Sequence, residues 1–191
     1  MTPGCRFDAV IPPNVAGGAS GEITLEQIYR YLPIAPMIAT GTIRGETLRG
    51  ILELELTRIF SEDPFQHSGG WFGGFSGLDV EVDLTRGDGE RVQRMSLMGS
   101  AEQIGDDDVL TVASCVRPFD DDDIMCSHPG YSDISEIENP TTGRSWPPLE
   151  FLVDAFETGA APVPPNSRVT DRGGQMLWPE DLYIQPLRSA R

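Results

Sequence analysis

Two histidines, His67 and His128, are the only imidazoles in this chain of 191 residues. A metal-dependent phosphoesterase gathers His, Asp and Asn side chains around two metal ions to activate water and neutralise the ester oxygens. Neither histidine lies in an Asp-x-His or His-x-His arrangement. Nucleophilic catalysis is served no better, because no Gly-x-Ser-x-Gly elbow occurs and two histidines offer few general bases. Both are therefore expected on the surface or in loops. The run Asp120 to Asp123 offers the oxygen ligands that Ca²⁺ takes, but it lacks the spaced Asp-x-Asp-x-Asp-Gly loop of specific sites and reads as a solvated acidic loop. What remains is binding chemistry. The segment EDPFQHSGGWFGGFS carries Phe65, Trp71, Phe72 and Phe75 in a stretch too glycine-rich for a regular element, and its aromatics either plug a core or line a pocket.

Charge narrows the ligand. All 14 basic residues are arginine, against 30 acidic ones, for a formal net charge of −16 and a pI near 4.3. GC-rich codon usage gives this arginine bias as readily as adaptation to high salt. Such a surface repels nucleic-acid backbones and anionic lipids, so neither nucleic acid nor membrane is an expected partner. Any phosphate or sulfate site must be a local arginine pocket. Hydrophobic residues make up 39% and charged residues 23%, ordinary for a globular protein. No apolar run approaches the ~20 residues that span a bilayer. The opening MTPGCRFDAVIPP lacks the basic start and apolar core of a signal peptide, so an exported protein would carry its signal upstream. Of three cysteines, Cys115 and Cys126 could close a loop of ten intervening residues in an oxidising compartment, with Cys5 left over; three free thiols are the alternative.

These residues must be positioned by a single domain, and the elements can be read in order. Phe7 to Ile11 is a short strand candidate stopped by two prolines. Thr24 with Gln27 forms a capping box ahead of Ile28, Tyr31 and Leu32, and Pro33 ends that helix. Met37 to Ile43 suits a strand. Gly45 punctuates it before Leu48, Ile51, Leu52, Leu56 and Ile59 recur at helical spacing, which predicts a second helix ending near Ser61. Leu78, Val80, Val82 and Leu84 alternate with acidic residues as a half-buried strand. TRGDGE turns it into a returning strand from Arg91 to Met98, with Val92, Met95 and Leu97 expected to be buried. Val109 to Cys115 is nearly continuously apolar, which predicts a central strand. Residues 119–146 form a long acidic loop. Pro147 and Pro148 start a third helix that Gly159 stops, with Leu149, Leu152, Val153 and Phe156 on one face. Residues 160–191 are an extended tail with short strands possible at Arg168 to Thr170 and Leu182 to Gln185. Helices with hairpin strands, and no regular βαβ alternation, predict an α+β fold with a mixed or antiparallel sheet and a few packed helices.

The order of these residues resembles the C-terminal domain of the 5′-nucleotidase family. The likeness runs through Gly21, Ile23, Thr24, Leu32, Pro33, Ile43, Gly45, Leu48, Leu52 and Glu53, then Ser76-Gly77-Leu78, Gly89-Glu90-Arg91-Val92 and Asp107 to Val112, and covers roughly residues 7–118. It implies the substrate-recognition half of a metallophosphoesterase that hydrolyses nucleotide phosphate esters. The divalent metal pair and the water-activating ligands would then sit in a separate N-terminal metallophosphoesterase domain, this chain alone would not turn over, and the family setting would be periplasmic or extracellular.

The family's site residues carry over unevenly. Its Asn-Gly-Gly-Gly-Ile-Arg segment is met only by Asn14 with Gly17 and Gly18, without the arginine, which implies a polar contact for Asn14. The aromatic after Leu-Pro, one half of a clamp on the nucleobase, is Ile34 here. The second clamp aromatic, in Phe-x-x-Asn-Gly-Gly-Asp-Gly, corresponds to Phe119 followed by Asp120 to Asp123, which implies stacking for Phe119 and a substrate-binding place for Asp120; Arg117, directly before Pro118 and Phe119, is the expected anion contact by its position. Loss of one clamp aromatic costs on the order of 1–3 kcal/mol of stacking. The same losses resemble the thiosulfohydrolase branch of the superfamily, which cleaves sulfate from a modified cysteine on a carrier protein. A stand-alone binding module is the reading from another class.

Overall fold

The computed structural model describes residues 24–32, 36–68, 72–159 and 169–173. Asn14, Cys5, Ile34, Trp71 and the strand candidates at Phe7 to Ile11 and Leu182 to Gln185 lie outside the described residues. Among the described residues, three α-helices and six strands follow in the order α1 (Leu25–Tyr31), β1 (Met37–Arg44), α2 (Gly45–Phe60), β2 (Leu78–Val82), β3 (Val92–Leu97), β4 (Val109–Val116), β5 (Tyr131–Glu136), α3 (Pro148–Thr158) and β6 (Val169–Asp171). The strands make two three-stranded sheets, β4-β1-β5, antiparallel throughout, and β3-β2-β6, in which β6 runs parallel to β2. The fold is α+β.

Local chemistry accounts for most of the boundaries. Thr24 accepts from the Gln27 backbone while the Gln27 side chain accepts from the Thr24 backbone, the reciprocal capping box at the start of α1. Gly159 closes α3 with a left-handed φ of 67°. The α2 helix begins without a side-chain cap because its first amides are met elsewhere: Gly45 donates to Asp108 O at 2.8 Å and Glu46 to Asp106 O at 3.0 Å.

The core lies where α2 packs between the sheets. Leu48, Ile51, Leu52 and Leu56 of α2 join Ala39 and Ile43 of β1 and Val80, Val82 and Met95 of the second sheet in one apolar cluster. Phe72 and Phe75 complete it, edge to face with centroids 5.9 Å apart. These two aromatics of the glycine-rich segment thus plug the core, while Phe65, in a one-turn 3₁₀ helix at Pro64–Gln66, is exposed.

Three expectations are corrected and one is refined. The β4 strand flanks β1 instead of lying central among the described strands, because the small residues Ala39 and Gly41 suit β1 to pairing on both sides. Leu97 is exposed and Ser96 buried at the end of β3, where Ser96 bridges to Gln103 and Ser100 N donates back to Leu97 O at 2.8 Å. A bulge at Gln93, where Glu81 pairs with Arg94 but Val82 with Val92, lets Val92 and Met95, three residues apart, both be buried. Residues 119–146 contain β5, whose sequence YSDISE has little apolar alternation and is held by its ladder to β1. His128 lies in the loop between β4 and β5 but is buried there, whereas His67 is exposed, with its Nε2 2.7 Å from Ser61 O as a donor.

The bulge also explains Glu53 and Arg49. Both backbone groups of Val92 are met by side chains one helical turn apart on α2. Glu53 Oε1 accepts from Val92 N at 2.5 Å, and Arg49 Nη1 donates to Val92 O at 3.0 Å. The family-like Leu52-Glu53 pair therefore does two jobs: the leucine fills the core and the glutamate satisfies the irregular start of β3.

Candidate functional site

Of the residues with expected binding roles, the structure brings Arg117, Phe119 and Asp120 together at the end of β4. Asp120 N donates to Arg117 O at 3.2 Å, and Arg117 N donates to Asp120 Oδ2 at 3.3 Å, which closes a tight turn. Phe119 sits within it at φ 78°, a left-handed conformation unusual for a bulky residue, and its side chain is fully exposed at 103%. Arg117 is exposed beside it. The turn presents a flat aromatic face and a guanidinium to solvent, with the half-buried Asp120 carboxylate closing it.

The base of this loop is fixed. Cys115 and Cys126 form a disulfide with Cα atoms 5.0 Å apart, and Cys126 N donates to Cys115 O at 2.6 Å. Met125 and His128 then exchange backbone hydrogen bonds at 3.1 Å across Cys126 and Ser127, both at positive φ. Met125 is wholly buried, with its sulfur over Gly41: a Cβ at that glycine would lie 2.6 Å from Met125 Sδ. Asp123 receives Gly130 N on its carboxylate at 3.3 Å and Tyr131 N on its carbonyl at 3.0 Å, which leads the chain into β5. Burial pushes the Tyr131 phenol up, so it stays neutral.

Sequence reasoning missed the carboxylate beneath the loop. Glu55 of α2 accepts from His128 Nε2 at 3.3 Å and from Arg58 Nη1 at 2.8 Å. The hydrogen bond from His128 is the largest cause, with that from Arg58 behind it, holding the Glu55 carboxyl below its ordinary 4.5 against the opposing effect of burial. A depressed carboxylate stabilises the fold above the unfolded-state pKa, and that contribution is lost as pH falls through the folded-state value. Wild type is therefore expected to exceed Glu55→Gln in urea midpoint at neutral pH, with the gap closing below about pH 4.5. A gap independent of pH would contradict the charged pair. The only sequence signal was spacing: Glu55 falls two residues past Glu53, on another face of the same helix.

Among the described residues no group of three or more His, Cys, Asp or Glu side chains is placed to hold a metal ion. No described helix is long and apolar enough to cross a membrane.

Two sheets around one buried helix, with a tethered loop at the end of β4, define an α+β domain of recognisable type. The family model described as 5′-nucleotidase, C-terminal domain, matches residues 3–115, and the chain belongs to that family. Solved structures share the fold. The sulfate thiohydrolase SoxB of Thermus thermophilus, in complex with glycerol, is similar at a TM-score of 0.63 and 21% identity over 84% of this chain and 27% of that one. A 5′-nucleotidase precursor, also from Thermus thermophilus, is similar at 0.56 and 19%, over 80% of this chain and 28% of that one. The NAD nucleotidase NadN of Haemophilus influenzae is similar at 0.50 and 16%, over 80% and 27%. The chain thus spans little more than a quarter of the length of these proteins. A search of curated proteins finds no match by sequence.

Proposed function

We propose that this chain is the substrate-recognition domain of a 5′-nucleotidase-like hydrolase, acting with an N-terminal metallophosphoesterase domain that supplies the divalent metal pair and the attacking water. The observation that carries the reading is Phe119, a fully exposed aromatic held at positive φ on a disulfide-closed loop. A hydrophobic ring kept out of the core and in a costly backbone conformation fits a ligand platform. In this reading Phe119 stacks on a nucleobase, Arg117 contacts an anionic group, and Asp120 and Asn14 make polar contacts. The bridge between Cys115 and Cys126 supports an oxidising compartment, periplasmic or extracellular.

Adenosine and AMP are expected to raise the melting temperature of the chain, and Phe119→Ala to weaken that response by the ~1–3 kcal/mol of one base-stacking contact, roughly tenfold in affinity. A shift that survives Phe119→Ala would move the platform elsewhere. A second reading, recognition of a thiosulfonate-bearing carrier protein, draws on the fold shared with SoxB and on Ile34 where the first clamp aromatic would stand. Stabilisation by a protein partner and by no nucleoside or nucleotide would favour it, or a stand-alone interaction module.

A further inference from the structure

The recognition turn has no apolar side chain of its own anchored in the core: Arg117, Pro118 and Phe119 are exposed, as are Asp121 to Asp123. Its geometry must come from what holds its base. Three ties are on hand. The disulfide joins the two ends of the loop to each other, and Met125 seats against β1 at Gly41. The third tie joins the loop to α2, and it is polar and buried. His128 is 7% exposed and the Glu55 side chain 13%, with Arg58 donating to the same carboxylate oxygen, Oε1.

We propose that Glu55 and His128 are positioning residues for the recognition loop, fixing its base against α2 and so holding Arg117, Phe119 and Asp120 in one arrangement. The pair lies outside the turn, so its effect is indirect. Met125 and His128 are joined by two backbone hydrogen bonds, and Met125 is next to Cys126, so displacement of the His128 ring is passed directly to the disulfide end of the loop. Asp123 is tied forward to Gly130 and Tyr131, so the acidic half of the loop follows the same anchor. Gly130 packs against Thr47 of α2, where a Cβ would come within 2.7 Å of Thr47 Cγ2. The segment from Met125 to Gly130 therefore lies along the helix, and α2 serves as a common base for the second sheet, through Arg49 and Glu53, and for the loop, through Thr47 and Glu55.

The part of this inference concerned with nucleotide affinity rests on the proposed function; the part concerned with loop order does not. The test is amide hydrogen exchange by mass spectrometry on the full chain, with AMP affinity measured by calorimetry on the same samples. In Glu55→Ala, amides of 117–124 are expected to exchange roughly tenfold faster or more, the size of a lost hydrogen bond to a charged group. Amides of β1 and β2 should accelerate distinctly less, by no more than the loss of global stability read from the urea midpoint, since a merely structural loss would lower protection equally everywhere. AMP should bind roughly tenfold more weakly to Glu55→Ala, and Glu55→Gln, which keeps an acceptor for both partners, should restore most of both effects. His128→Asn provides the same comparison if Glu55→Ala does not fold. Unchanged exchange at 117–124, or an equal rise across β1, β2 and the loop, overturns the positioning role. Failure of wild type to bind AMP overturns the nucleotide reading and leaves the exchange result to decide the positioning role alone.

Discussion

Gly45→Ala is expected to destabilise the domain by roughly 3 kcal/mol or more, at the upper end of what overpacking costs. A methyl group at this position would overlap the Gly105 carbonyl oxygen and come within 3.0 Å of its carbon. The obstacle is backbone, and it cannot swing aside. The Gly105–Asp108 turn is held against the helix by the bonds that cap it, Gly45 N to Asp108 O and Glu46 N to Asp106 O. Asp108 further accepts from Gly105 N at 2.7 Å. To admit the methyl, the turn must retreat and leave the first amides of α2 without acceptors, each a loss of about 1 kcal/mol or more. Alanine gains up to ~1 kcal/mol over glycine in a helix, too little to offset this. Gly50 on the same helix is the control, because a Cβ there meets nothing. Urea midpoints should fall sharply for Gly45→Ala and rise slightly for Gly50→Ala; equal, small changes would show that the turn is not seated as described.

Opening the disulfide ranks next. For a loop of this length the chain-entropy estimate is about 2.7 kcal/mol, so the double variant Cys115→Ser with Cys126→Ser should lose stability of that order. The loss should persist with the Met125 and His128 anchors intact, because it arises in the unfolded chain rather than from native contacts. Thiol titration of the native, unreduced protein should find Cys5 alone reactive. Three titratable thiols with unchanged electrophoretic mobility would contradict the bridge.

Much of the fold was legible because local signals agreed. The capping box at Thr24, the helical spacing from Leu48 to Ile59, the alternation from Leu78 to Val82 and the Pro-Pro start and Gly159 stop of α3 each have a mechanism confined to a few residues. Where the reading failed, distant partners decided. The place of β4 beside β1 depends on pairing between segments far apart in the chain, and β5 exists because β1 offers it a ladder. Burial of Ser96 in place of Leu97 falls at the end of β3, where Ser96 bridges to Gln103 and the chain turns back on itself, a pairing that leaves no mark in composition. For the site, Phe119 and Asp120 were singled out by resemblance to the family pattern and Arg117 by its place just before them, and the three share one turn. The anchor beneath them was not visible, because His128 and Glu55 are 73 residues apart and each alone reads as an ordinary surface residue.

Calorimetric titration of AMP and adenosine into the full chain, with Phe119→Ala alongside, tests the recognition role most directly. Saturable binding to wild type that weakens roughly tenfold in Phe119→Ala is the predicted result. No heat of binding to wild type, or binding indifferent to Phe119, would contradict the assignment of this domain as a nucleotide-recognition module.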